Sequence, residues 1–150
     1  MDLILWRHAE AEDGTPDEAR PLTPRGLDQA QRMAAWLSKR LPTGHRVLVS
    51  PARRTQQTAS PLQKKFETVA ALAPGASAAA VLRAAGWPAG GGTVVVVGHQ
   101  PTLGEVAAGL LGSHDASWSI AKGAVWWLAD RDREGSAGVV LRAAISPELL

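Results

Sequence analysis

The run Thr93-Val94-Val95-Val96-Val97 constrains the fold more than any other stretch of the chain. Five consecutive β-branched residues favour an extended strand. No polar residue alternates with them, so both faces of that strand require burial. This is the pattern of a parallel sheet covered by helices on its two sides. Such a strand needs parallel neighbours and crossover helices, and the sequence supplies candidates for both. Leu3–Trp6 and Arg46–Val49 read as two more short buried strands. Leu27, Ala30, Met33, Ala34, Leu37 and Leu41 recur at helical spacing behind Thr23 as N-cap and Pro24, and Pro42 and Gly44 end that helix. Residues 52–66 read as a polar helix with a break near Pro61, and residues 67–77 have room for a short strand ending at Pro74-Gly75. Ser77 caps a helix through Val81, Leu82 and Ala85, and residues 100–112 read as another. Two late strands, 124–129 and 138–145, flank a charged turn within Asp130–Gly138 and form a hairpin. The alternation predicts an α/β fold in one domain spanning 1–150, with a mixed, mostly parallel sheet and helices on both faces.

Composition excludes several classes. With 150 residues, 45% apolar and 20% charged, the chain has the balance of a globular protein able to bury a core. A formal charge of +2 and the lack of a basic run argue against a nucleic-acid partner. No apolar run approaches the ~20 residues of a membrane span, and the N-terminus lacks the pattern of a signal peptide, so the expected location is cytoplasmic. The chain has no cysteine and no H-x-x-H or H-E-x-x-H pair, so no metal site is expected.

The chemistry collects where strands end. The first strand runs into Arg7-His8, the second into Ser50-Pro51 with Arg53 and Arg54 just beyond, and the strongest into His99. In a parallel sheet these ends share one edge, which is where ligands of such folds bind. Two imidazoles and two or three guanidiniums there suit a tetrahedral dianion, because arginine forks match phosphate oxygens in pairs. The N-termini of the helices after strands two and four are expected to add backbone N–H groups. His45 and His114 read as surface residues, and Trp6, beside Arg7, as the tryptophan nearest the site.

"LWRHAEAE", "RPLTPRG", "SPARRTQQTA" and "VVVVGHQPTL" resemble, in the same order, four motifs of the histidine phosphatase superfamily, the group that includes the phosphoglycerate mutases. The spacing is most similar to that of SixA-type phosphohistidine phosphatases. The resemblance implies a three-layer α/β/α sandwich around a mixed six-stranded sheet. It implies His8 as nucleophile, Arg7 and Arg54 as phosphate ligands, and His99 completing the pocket. The arginine falls at the fourth position past the serine, which selects Arg54 over Arg53. Two departures stand out. Ala9 occupies the place of a frequent glycine, and Gln100 stands where the acid branch of the superfamily carries aspartate. The segment in which the mutase branch inserts its acid is short here, with Glu67 as its single carboxylate.

These residues imply in-line displacement, with the phosphoryl group passing to neutral His8 and then to water. Arg7 and Arg54 should lower the pKa of that imidazole. No cofactor is required. Glu10 is a candidate to protonate the leaving group or orient water, and equally reads as a solvated loop acid. Arg20 is a candidate to hold a substrate protein, and equally reads as a surface arginine. Three activities remain open: a phosphatase for phosphohistidine on proteins, a broad small-molecule phosphomonoesterase, and a non-catalytic phosphate-binding module. Without an assured acid, a phosphoramidate is favoured over an alkyl ester, whose alkoxide leaves poorly.

Overall fold

The computed structural model describes residues 1–113, 116–133 and 136–150. Its elements are β1 (Asp2–Arg7), α1 (Pro24–Ser38), β2 (Arg46–Val49), α2 (Arg53–Ala59), β3 (Glu67–Thr68), α3 (Ala78–Ala85), β4 (Thr93–Gly98), α4 (Thr102–Leu110), β5 (Val125–Arg133) and β6 (Ser136–Ile145). The six strands form one sheet in the order β3-β2-β4-β1-β5-β6. β1 to β4 run parallel; β5 pairs antiparallel with β1, and β6 antiparallel with β5. His114 and the tip of the charged turn lie outside the described residues.

Side-chain alternation sorts the core into two layers. Leu3, Leu5, Leu48, Val94 and Val96 pack on one face with Val81 and Ala85 of α3 and Leu103, Val106 and Ala107 of α4. Ile4, Trp6, Val47, Val49, Val95 and Val97 pack on the other with Met33, Ala34 and Leu37 of α1 and Ala59 of α2. The valine run is therefore buried on both faces, and the result is a three-layer α/β/α sandwich.

Local chemistry explains the boundaries, including those that differ from expectation. The Thr23 hydroxyl oxygen accepts the Gly26 N–H at 2.9 Å, and Ser77 caps α3 in the same way at 3.1 Å. α1 ends at Ser38, before Pro42, and Leu27 lies on its exposed side at 42% accessibility. α2 stops at Ala59, two residues before Pro61, because proline supplies no N–H for another turn. β3 is only two residues, followed by a 3-10 turn at Ala70–Leu72. No helix among the described residues is long and apolar enough to cross a membrane.

Candidate active site

Register along the central strands builds the site. Trp6 and Val49 both lie opposite Val97 of β4. One step further, the His8 N–H donates to the Gly98 carbonyl at 3.1 Å and the Ser50 N–H to the Val97 carbonyl at 3.1 Å. His8, Ser50 and His99 thus leave the sheet side by side at its carboxyl edge. The rings of His8 and His99 are 5.4 Å apart between centroids and tilted by 53°. Both are buried.

His8 Nδ1 lies 2.7 Å from the Ala9 carbonyl oxygen. A carbonyl only accepts, so Nδ1 carries the proton and Nε2 keeps a free lone pair. This is the fixing partner that sequence alone does not reveal. Ala9 is itself held: its N–H donates to Thr58 Oγ1 at 3.0 Å, and the Thr58 hydroxyl donates to the Arg54 carbonyl at 2.7 Å. The helix that carries Arg54 therefore also braces the backbone behind His8.

Arg7 Nη1 donates to the Ile120 carbonyl at 2.8 Å. Arg54 is 5% exposed, whereas its neighbour Arg53 faces solvent. Arg54 donates from Nη1 to the Asp17 carbonyl at 2.9 Å and from Nη2 to Asp17 Oδ2 at 3.1 Å. What remains at these residues is informative. Arg7 Nε, Arg54 Nε and His99 Nδ1 are buried without a hydrogen-bond partner, and no other buried side-chain nitrogen or oxygen among the described residues shares that condition. Buried polar atoms are normally paired. Three orphans grouped around His8 form a cradle for a ligand rich in acceptor oxygens.

The remaining expectations separate. Arg20 reaches toward the site and adds its charge to the field at His8. Its side chain is tied by Nε to the Glu12 carbonyl at 2.7 Å and by Nη1 to Asp17 Oδ1 at 2.9 Å. Glu10 is directed elsewhere: Oε2 accepts the Thr23 hydroxyl at 2.7 Å, and Oε1 lies 3.9 Å from Arg25. The structure thus holds this carboxylate at the start of α1. Glu67 is exposed and pairs with Arg46 at 2.9 Å. Gln100 accepts the Gly104 N–H and donates to the Trp118 carbonyl, each at 2.8 Å, so it caps α4. Gly104 is required there, since a Cβ would fall 1.9 Å from the Trp118 carbonyl oxygen.

Trp6 does not line the site. Its ring is wholly buried in the second core layer, with Nε1–H donating to the Gly123 carbonyl at 3.1 Å. Several amides near the helix starts are taken up within the chain. The Leu103 and Gly104 amides bond back to His99 and Gln100, and those of Thr55 and Gln56 to Ala52. His45 is half-buried, bonded to Pro42 and Gln63. Sequence reasoning missed two residues. Asp17 gives no signal among Glu10, Glu12, Asp13 and Glu18 in the same polar loop, apart from its i,i+3 spacing to Arg20. Ser50 reads from sequence only as a strand terminator.

Electrostatics match the geometry. Burial chiefly, then Arg54, Arg7 and Arg20, push the His8 imidazole down to about 4, against the opposing pull of the Ala9 carbonyl. Burial leads, not the arginines. Burial, then His8 and Arg54, push His99 down to about 3. Both rings are neutral at pH 7. Hydrogen bonds from Arg20 and Arg54 hold the Asp17 carboxyl below its usual range. The unfolded chain protonates both histidines near 6.5 before the folded chain does. Stability is therefore expected to be complete above that pH and to fall as pH drops toward about 4 and 3. An NMR titration checks this: His8 should remain neutral until about pH 4, and a midpoint near the free-histidine value of ~6.5 would contradict it. No group of three or more His, Asp or Glu among the described residues is arranged to hold a metal ion.

Comparison with known proteins agrees with this geometry. The profile of the histidine phosphatase superfamily (branch 1) matches residues 3–77. Phosphohistidine phosphatase SixA of Escherichia coli is 33% identical over 120 residues, covering 73% of this chain and 74% of that protein. A SixA homolog of Haemophilus influenzae is 33% identical over 131 residues, covering 77% and 80%. The structure of the protein histidine phosphatase SixA complexed with tungstate superposes with a TM-score of 0.82 at 26% identity, covering 99% of both chains. The chain belongs to the histidine phosphatase superfamily, branch 1, among its SixA-type phosphatases.

Proposed function

We propose that this phosphatase removes phosphoryl groups from phosphohistidine on proteins, using His8 as nucleophile. The observation that carries the reading is a neutral, oriented His8 amid three orphaned buried nitrogens, with no carboxyl group among the described residues poised to give a proton. Nε2 of His8 attacks phosphorus in line, and the bond from phosphorus to the substrate imidazole nitrogen breaks. The departing imidazole takes a proton from solvent. Water then attacks the phosphorus on His8, the P–Nε2 bond breaks, and His8 and inorganic phosphate are released. Arg7, Arg54 and His99 stabilise the charge on the equatorial oxygens. Glu10 is bound to Thr23, and Asp17 is kept ionised by two arginines. An alkyl ester, which needs its leaving oxygen protonated, is therefore served poorly. A phosphoramidate is served well. The tungstate in the related SixA structure is a tetrahedral oxyanion of the kind this cradle fits.

The test is a substrate panel in excess EDTA: a phosphohistidine protein domain, a phosphoserine peptide, an aryl phosphate and small sugar phosphates. The expected order of kcat/KM places phosphohistidine first, the aryl phosphate next and alkyl phosphates last by a wide margin. A sugar phosphate in first place would overturn the substrate assignment and favour the small-molecule phosphomonoesterase. Loss of all activity in EDTA, restored by a divalent ion, would overturn the metal-free mechanism.

A further inference from the structure

We infer that Ser50 is a positioning residue that sets the tautomer of His99, so that His8 and His99 both carry their proton on Nδ1 yet present opposite chemistry to the phosphoryl group. His8 is anchored through Nδ1–H and offers a bare Nε2. His99 is anchored through Nε2 and offers Nδ1–H. The inference deepens the phosphatase reading and rests on it for its consequence in catalysis.

The hydrogen-bond inventory of Ser50 carries the argument. Ser50 is fully buried. Its hydroxyl oxygen has two neighbours: the Ala52 N–H at 3.3 Å and His99 Nε2 at 2.7 Å. The amide only donates, so the hydroxyl accepts there. Its own proton then has one acceptor in reach, the lone pair of His99 Nε2. The reverse assignment, with Nε2–H donating to Ser50, places two donors on the oxygen and strands the hydroxyl proton in a dry interior. It also turns a bare Nδ1 lone pair toward the anion site, where it would repel a phosphate oxygen. The reverse thus leaves two buried groups unmet, the hydroxyl proton and the Nδ1 lone pair, where the first leaves only Nδ1–H, so the first assignment prevails. His99 Nδ1–H is then the buried, unpartnered nitrogen of the ring beside His8, a neutral donor available to a phosphoryl oxygen.

Ser50 is held firmly enough to do this. Its N–H donates to Val97 in the sheet, and its carbonyl accepts from Thr55 Oγ1 at 2.9 Å and Gln56 Nε2 at 2.8 Å. The hydroxyl and the His99 ring thus ride on adjacent strands, β2 and β4, whose pairing fixes their separation.

The experiment reads the tautomer directly. Long-range ¹⁵N–¹H spectra of the wild-type protein, with signals assigned through His8→Ala and His99→Gln, should show Nδ1 protonated and Nε2 bare at both residues. In Ser50→Ala, His99 should move to the Nε2–H or a mixed form while His8 is unchanged. Turnover of an aryl phosphate should fall by roughly 10- to 100-fold, less than the ~10²–10³ expected for removing a donor outright. Ser50→Thr, which keeps the hydroxyl, should restore both the spectrum and much of the rate. A wild-type His99 protonated on Nε2, or a Ser50→Ala spectrum identical to wild type, would overturn the inference whatever the activity. The expected spectra in a protein that hydrolyses no phosphate compound would uphold the Ser50 assignment and sink the phosphatase reading instead.

Discussion

His8→Ala is expected to abolish turnover by more than about 10⁴-fold and to leave no trappable phosphoenzyme. The effect follows from position. His8 is the first residue beyond β1, its Nδ1 is committed to Ala9, and its Nε2 is left free to serve as the proposed nucleophile. Neighbouring arginines cannot substitute, because their guanidiniums remain protonated and carry no lone pair to attack with. The measurement is acid-labile phosphate on protein denatured during turnover, present in wild type and absent from the variant. His8 fills little core volume, so the variant should fold, which circular dichroism will verify. A folded His8→Ala protein with wild-type rate would sink the covalent mechanism.

Arg54→Ala should cost on the order of 10²–10³ in kcat/KM, whereas Arg53→Ala should change it less than about twofold. Consecutive helical residues project ~100° apart, so one faces the pocket and the other water. Arg54 is the buried one, with an unpaired Nε. Its removal deletes a cationic donor and also releases two of the hydrogen bonds on Asp17. Affinity for vanadate or tungstate should fall in parallel, because these oxyanions load the same guanidinium. Equal losses in both variants would mean that charge density at the start of α2 matters more than the fork.

Much of the fold is legible in residues that act locally. The valine run declares a strand buried on two faces, Thr23 and Ser77 declare helix starts, and Pro61 limits α2. The parallel order of β1, β2 and β4 then follows from the crossover helices, and with it the meeting of Arg7, His8, Arg54 and His99. These features depend on periodicity and short-range stereochemistry, which one sequence carries in full. Leu27 shows where such reading fails: an apolar residue at the right spacing can still lie outside the arc that the sheet covers.

The sequence by itself determined which groups would gather at the strand ends, because residue type and strand direction are written there. Only the tertiary structure decided their states. Ala9 sets the His8 tautomer, Ser50 that of His99, and Asp17 braces Arg54, each through a hydrogen bond that depends on the path of the folded chain. Glu10, the acid nearest to His8 in sequence, bonds Thr23 because α1 packs its first turn against the Glu10 backbone; a Cβ on Gly26 would lie 2.0 Å from that carbonyl oxygen. Protonation is set by burial, and tautomer by hydrogen bonds: His8 to its chain neighbour Ala9, along the path the folded backbone takes there, and Ser50 to His99, which meet only once the sheet has brought their segments together.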